Sequence, residues 1–415
     1  MARTSSEVLF LSHRIPFPPN RGDKIRSHHV LRHVAGLAPV HVATFADDAA
    51  DMVHEAELAG VATSHCLLQR RKGMVRAGLE GLAKGLPVSL TAFHDPALAA
   101  YVRNVLAARP IGTIYAFSGQ MGQYIPDGFK GRVIFDFVDV DSAKFEAYAV
   151  AGRGPRGWID AREGRLLSAE EARLARRADI SLLVSNEEAA LFRARLLPQD
   201  QLECAVGTLR NGIDSELFDP ARCEPTAAML ACAGPRLIFT GQMDYAPNVA
   251  AACRVIERLL PAIRQRFAGA TFHVVGRNPP ETLRALHGKD GAYVWGAVDE
   301  MPSYLAAADL ALVPLELARG VQNKVLEAMA MRLPVVLTAE AATGIGGGDG
   351  QHYAVGHGDA ELIEQVCTLL GDAQRQAAMG AAARHYVIDK LSWQATLAPL
   401  AAMLGLPDTA ARNAA

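Results

Sequence analysis

Apolar residues along this chain fall into short continuous runs, each followed by a polar or glycine-containing loop and then by a stretch with helical periodicity. In the first half the runs are Val8–Leu11, Val40–Phe45, Ile114–Phe117, Val133–Val138 and Ile180–Val184. In the second half they include Arg236–Thr240, a run ending at Val274 and Val275, Leu310–Pro314 and Pro334–Thr338. Short apolar runs bounded by turn formers read as strands buried on both faces, and the segments between them as helices. Their alternation predicts an α/β protein built on parallel sheets.

The helices carry start signals. A helix from about Asp23 to Gly36 presents Ile25, Val30, Leu31 and Val34 on one side. Asp95 before Pro96 is a natural N-cap with proline in the first turn, and Ser185–Glu188 has the spacing of a capping box. Residues 144–178 read as one long helical, arginine-rich stretch in which Glu163, Glu170 and Glu171 supply partners one turn away. Near Val321 or Gln322 a helix begins whose apolar side is Val325, Leu326, Ala328, Met329 and Met331.

A length of 415 residues exceeds one ordinary core, so two domains are expected. The stretch from Asp214 to Pro235 holds Pro220, Pro225, Gly234 and Pro235 without a sustained period and reads as a linker. The predicted division is a first domain over 1–213, the linker 214–235, a second domain over 236–388, a returning helix over 389–406 and a tail over 407–415. A formal net charge of −2 gives no global pull toward nucleic acid. Six scattered cysteines without a CxxC pair argue for reduced thiols over a disulfide frame or zinc site. The apolar run near the start is four residues, Val8–Leu11, and is read as a strand, not a signal peptide; no run approaches membrane-spanning length. A cytoplasmic protein is expected. The glycine-rich segment Gly344–Gly350 lacks the GxGxxG spacing, and no GxxxxGK[ST] occurs, which disfavours a nicotinamide, flavin or P-loop enzyme.

The densest set of candidate chemistry lies between Pro314 and Val336, where a strand, a polar loop, a short helix and a buried strand enclose Arg319, Gly320, Asn323, Lys324 and Glu327. In an open parallel sheet, ligands bind beyond the carboxyl ends of the strands, and a helix N-terminus there suits an anion. Lys324 and Arg319 add positive charge, and Glu327, one turn beyond Asn323, is placed to accept from a diol. Such a set fits the diphosphate and ribose of a nucleotide. It fits equally a capped surface helix with ordinary polar pairs.

The string NKVLEAMAMRLPVV resembles the donor-site helix of family-four retaining glycosyltransferases of the GT-B fold, and the block ARGVQNKVLEAMA is similar to the sugar transferases associated with exosortase (PEP-CTERM) exopolysaccharide systems. The resemblance implies two Rossmann-like domains facing a cleft, with a C-terminal helix returning to the first. It assigns the ribose to Glu327 and the donor loop to Gly320, Asn323 and Lys324. Where the usual pattern has a second glutamate eight residues before Glu327, this chain has Arg319. The family's diphosphate clamp, an arginine after the glycine of the first strand of this domain and a lysine before the next helix, is replaced beside Gly241 by Gln242 and Pro247. Arg319, Lys324 and Arg277 are the candidate substitutes. The Val294–Val298 turn matches the family's base-binding turn, so Val298 joins the donor set.

In the first domain the resemblance assigns Gly22 to a loop approaching donor or acceptor; Arg21, Lys24 and Arg26 beside it suit steering of phosphate, and a solvated helix start suits those cations equally. The family's cleft histidine has no counterpart at Phe117, Ser118 or Val138. Asp139 and Asp141 end a strand; an N-cap or acceptor contact is preferred for them over a metal-binding DxD motif. Asp139 and Arg319 are the candidate catalytic groups, and His94 and Asp141 the candidate acceptor-side groups. Residues 70–86 mix Arg70, Arg71, Lys72, Arg76 and Lys84 with Met74, Val75, Leu79, Leu82 and Leu86. That mixture suits an anionic membrane surface, or a solvated helix on its own domain. The expected activity is transfer of a sugar, with retention and without metal or cofactor, from a nucleotide-diphosphate sugar to a lipid-linked glycan acceptor in exopolysaccharide synthesis. The alternatives are a catalytically silent scaffold of the same fold and a nucleotide-sugar epimerase.

Overall fold

The computed structural model describes residues 6–151, 154–318 and 320–406. The candidate Arg319 and the tail 407–415 lie outside the described residues. The chain forms two compact units, one of residues up to Asn211 together with those from Thr396, the other Gly212–Ala395.

The first unit holds β1 (Glu7–Ser12), β2 (Val40–Ala46), β3 (Ser64–Gln69), β4 (Ile111–Phe117), β5 (Arg132–Val138), β6 (Ile180–Leu183) and β7 (Val206–Thr208). They form one parallel sheet in the order β3-β2-β1-β4-β5-β6-β7. The central strands are apolar on both faces because helices cover both. Glu7, at the buried start of β1, is an exception satisfied by Arg109 at 2.8 and 2.6 Å and by His41 at 2.8 Å. The C-terminal residues are tied to this unit where Thr113 Oγ1 donates to the Leu404 carbonyl at 2.9 Å.

The second unit holds β8 (Arg236–Thr240), β9 (Thr271–Val275), β10 (Ala292–Gly296), β11 (Leu310–Val313), β12 (Val335–Leu337) and β13 (Ala354–Val355). This sheet is also parallel, in the order β10-β9-β8-β11-β12-β13. The chain winds from β8 outward through β9 and β10, then crosses to β11 on the other side of β8. The switch between β8 and β11 opens a crevice at the strands' carboxyl ends.

Two elements depart from the expected pattern. The stretch 144–178 is not one helix but two, Asp141–Ala151 and Pro155–Arg177, the second opening on Pro155 after Gly154. β3 was not marked by the apolar pattern, because this edge strand buries only Leu67 and leaves the rest half-exposed.

Candidate functional site

Gly241 directly follows β8 and Gly276 directly follows β9, with φ of 149° and 156°. A Cβ on Gly276 would lie 1.6 Å from the Gly241 carbonyl oxygen, and one on Gly241 would lie 2.9 Å from Asn248 Nδ2 and 3.2 Å from Lys324 Cε. The ends of β8 and β9 therefore meet backbone to backbone, and only glycine fits either position. The resulting floor exposes main chain, not side chain, to whatever lies above it.

Lys324 is the second residue of the helix Asn323–Ala330, whose N-cap Gln322 makes no side-chain capping bond. Its ammonium donates to Asn248 Oδ1 at 2.8 Å and stands 5.1 Å from the centre of the Phe239 ring. Asn248 is buried, and its Nδ2 donates in turn to the Gln242 carbonyl at 2.8 Å, which fixes the amide. Burial lowers the Lys324 pKa to about 8, against the opposing pull of the Glu327 charge. Glu327 lies one turn further along, half-buried. Burial raises its pKa to about 7, with the Lys324 charge opposing. Among the described residues none donates a hydrogen bond to the Glu327 carboxyl group. A half-buried acceptor pair without a donor suits a ligand that brings its own hydroxyls.

Arg277 follows Gly276. With the Gln242 amide oriented so that its oxygen faces the guanidinium, that oxygen accepts from Arg277 Nε at 2.8 Å. The residue standing where an arginine was expected thus holds an arginine reaching over from the neighbouring loop. Gly296 closes β10 at φ 74° and accepts from Gly276 N–H at 2.8 Å, which ties the following turn, with half-buried Val298, to the same strand ends. Gly320 (φ 65°) and Asn323 are exposed beside the helix start. Lys324, Glu327, Gly241, Asn323 and Arg277 therefore gather at one end of one sheet. Asn248, Phe239 and the acceptor role of Gln242 were not found from sequence. A buried Asn next to Pro247 at a helix start was their one available signal.

In the first unit the predicted residues separate. Gly22 opens the helix Gly22–Leu37, and a Cβ there would meet nothing within 4 Å. Arg26 is not a solvent-facing phosphate ligand. It is buried, donates to both Asp136 oxygens at 3.0 and 2.9 Å and reaches Asn211 Oδ1 at 2.9 Å, while Tyr115 donates to Asp136 at 2.6 Å. Lys24 is likewise buried, its ammonium spent on Asp51 and on the Phe17 carbonyl. Arg26 shares a helix face with Val30 and Val34, a spacing that marks it as inward.

The loop after β1 is held by a cluster the sequence reading missed. Arg14 pairs with Asp47 and Asp23 at 2.7 Å each, Arg21 with the same two carboxylates, and Arg70 with Asp47 at 3.2 Å. Burial works against the Asp23 charge, yet His13, Arg21 and Arg14 hold its carboxyl well below the usual range. Asp139 and Asp141 follow β5 and share the Lys144 ammonium at 2.9 and 3.2 Å. His94 is exposed just ahead of Asp95, whose carboxylate caps the next helix through Ala97 N–H at 2.8 Å.

Residues 234–372, which contain every donor-side candidate named above, match the family profile described as glycosyl transferases group 1. The GDP-mannose-dependent alpha-(1-6)-phosphatidylinositol monomannoside mannosyltransferase of Mycobacterium tuberculosis is 29% identical over 264 residues, covering 56% of this chain and 63% of that protein. Its counterpart in Mycolicibacterium smegmatis is 28% identical over 255 residues. The chain thus spans less than two thirds of the length of these relatives. Among solved structures, HepE of Anabaena in complex with UDP superposes with a TM-score of 0.60 at 15% identity, covering 96% of this chain and 99% of that one. WaaG, a glycosyltransferase involved in lipopolysaccharide biosynthesis, gives 0.56 at 18% identity, covering 96% and 100%. Sucrose-phosphate synthase of Thermosynechococcus elongatus gives 0.59 at 16% identity, covering 99% and 100%. The fold is therefore GT-B: two Rossmann-like parallel-sheet domains with a C-terminal helix.

Proposed function

We propose that this protein is a retaining glycosyltransferase that takes a sugar from a nucleotide-diphosphate sugar bound in its second unit. The observation that carries the proposal is the pairing of Lys324, poised over the glycine floor of β8 and β9, with the Glu327 carboxyl group one turn beyond it, which has no hydrogen-bond donor among the described residues. Lys324 and Arg277 face the diphosphate, and Arg319, outside the described residues, is assigned to it from the sequence alone; Glu327 accepts from the ribose hydroxyls; the Val298 turn meets the base. Fixed cations at the leaving diphosphate stabilise the charge that grows there as the glycosidic bond breaks. The acceptor oxygen attacks from the face the diphosphate leaves, and its proton passes to that diphosphate. The configuration is retained, and no metal or cofactor is called for. Asp139 and Asp141, at the carboxyl end of β5, contact the acceptor in this reading, together with His94 and the open helix start at Gly22.

The acceptor we propose is a lipid-linked glycan in exopolysaccharide assembly at the inner face of the cytoplasmic membrane. The mycobacterial relatives are named for a phosphatidylinositol-linked acceptor, and the likeness of ARGVQNKVLEAMA to exosortase-associated transferases supports the pathway. No helix among the described residues is long and apolar enough to cross a membrane. In this reading residues 70–86, which mix basic and apolar side chains, supply a peripheral contact.

The test is transfer of label. Radiolabelled UDP-, GDP-, ADP- and dTDP-sugars are incubated with the protein and a lipid extract of polysaccharide-producing cells. One donor is expected to move label into the lipid fraction with its anomeric configuration kept. Release of free sugar epimer without an acceptor, or no turnover of any donor, contradicts the proposal.

A further inference from the structure

Strands β9 and β10 pair in register as far as Val294, which stands opposite Val274, and then slip. Gly296 stands opposite Val275, so Trp295 is the extra residue of a bulge. The half-buried indole joins a cluster of rings. The His273 ring stacks on Tyr293 at 5.1 Å between centroids and on Trp295 at 6.0 Å, with interplanar angles of 8° and 12°. Edge-on to the indole stand His287 at 5.9 Å and Tyr304 at 5.5 Å.

Hydrogen bonds fix the tautomer of His273. The Trp295 indole N–H is a donor only, and it lies 3.1 Å from His273 Nδ1, which therefore presents a lone pair. The ring proton is then on Nε2, 2.9 Å from Thr271 Oγ1, and that hydroxyl gives its own proton to the Ala233 carbonyl at 2.7 Å. Each donor in this chain meets one acceptor. His273 is fully buried, and burial, with the Arg236 charge adding to it, lowers its pKa to about 4, so the ring is neutral at neutral pH. A second ring proton would also face the indole N–H, donor against donor. A buried histidine held in one tautomer holds the indole at one angle.

Trp295 is the last side chain before the turn proposed for the nucleobase. Gly296 follows at φ 74°, its carbonyl accepting from Gly276 N–H at 2.8 Å, and Ala297 and Val298 come next. The chain then returns as the helix Met301–Ala306, whose Tyr304 rests against the same indole. Both ends of the turn are thus anchored on one side chain. We infer that His273 is a positioning residue for the donor: through Trp295 it presets the turn Gly296–Val298, so that the turn meets the nucleobase in one geometry. Being fully buried, His273 acts only through the indole. The inference rests on the nucleotide-sugar reading above and adds the residue that sets base selectivity within it.

The experiment is calorimetric titration of the whole chain with UDP-, GDP-, ADP- and dTDP-sugars. Wild type, His273→Leu, Trp295→Phe and the double variant are compared, with melting temperatures measured alongside. Trp295→Phe keeps an aromatic ring and loses the N–H, and it carries the test alone if His273→Leu does not fold. Affinity for the best nucleotide sugar is expected to fall about five- to tenfold in each single variant. Its lead over the other three should shrink by a similar factor, because a loosened turn no longer prefers one base. The double variant should bind within about twofold of the weaker single one, since both break the same bond. Wild-type affinity and base preference in variants that merely melt earlier would make His273 a packing residue and overturn the inference, while the donor site stands. An equal loss for all four nucleotide sugars would place the effect away from the base and overturn it too. Binding of none of the four by wild type removes the donor reading, and this inference with it.

Discussion

The ammonium of Lys324 and the amide oxygen of Asn248 lie 2.8 Å apart, joining the helix that follows β11 to the helix that follows β8. The bond spans the topological switch of the second sheet beside Gly241, so the half-buried Lys324 ammonium is oriented before any ligand arrives. In the proposed donor site, replacing Lys324 by Met removes a charge-assisted contact to the diphosphate. Affinity for the nucleotide sugar is expected to fall by about 10- to 100-fold. The melting temperature of the free protein should hold or rise, since a desolvated charge is gone. Calorimetric titration of both proteins checks the first part; unchanged affinity would remove Lys324 from the donor site.

Glu327 makes the stability of the free protein depend on pH in a stated direction. Burial raises its pKa from 4.5 to about 7, so its contribution is full below 4.5 and is lost as pH rises through about 7. Lys324, lowered from 10.5 to about 8, contributes fully above 10.5 and loses that contribution as pH falls through about 8. Between about 7 and 8 both groups are charged and neither contribution remains. Glu327→Gln, which stays neutral, should therefore match wild type at pH well below 4.5 and exceed it above about 7, by on the order of 2–3 kcal/mol at most. Denaturant melts across this range test it. An advantage that shrinks with rising pH would contradict the assigned shift.

Glycines separate fold from function. Gly276→Ala forces a Cβ to within 1.6 Å of a backbone oxygen at positive φ, so it should destabilise the second unit as well as abolish donor binding. Gly22→Ala meets open space, so the melting temperature should stay within about 1 kcal/mol of wild type in equivalent stability. If a ligand approaches the backbone at Gly22, transfer activity falls all the same. Full activity in this variant would free Gly22 from any ligand role.

Arg26 and Asp136 form a fully buried pair to which Tyr115 and Asn211 add hydrogen bonds. Removing one partner leaves an uncompensated charge in the core. Asp136→Ala is expected to cost about 3–5 kcal/mol in the first unit, and Tyr115→Phe about 1 kcal/mol. The measurement is denaturant unfolding followed by a probe in that unit; a loss from Asp136→Ala below that of Tyr115→Phe would show the pair to be solvated.

Much of this was legible in the residue pattern because strands buried on both faces write themselves as apolar runs. β1, β2, β4, β5 and β6 are such runs. β3 is half-exposed at a sheet edge and leaves no such trace. The cluster of Lys324, Asn323 and Glu327 was visible because its members share one helix. The bonds from Lys324 to Asn248 and from Arg277 to Gln242 join the loops of strands that neighbour each other in the sheet, β11 with β8 and β9 with β8, and that adjacency follows from strand order, which spacing alone does not give. Arg26 was misread for a different reason. Its helical phase matches Val30 and Val34, but an arginine is assumed to be outside unless a partner for it is known, and Asp136 lies 110 positions away.

The central claim is that the second unit binds a nucleotide-diphosphate sugar through Lys324 and Glu327. Thermal unfolding of wild type, Lys324→Ala and Glu327→Ala with UDP-, GDP-, ADP- and dTDP-sugars tests it most directly. At ~100 times its dissociation constant a ligand adds about 2.7 kcal/mol to stability. One nucleotide sugar should raise the wild-type transition by that order, and both variants should lose the effect. Stabilisation by none of the four at millimolar concentration, or equal stabilisation of the variants, would contradict the account.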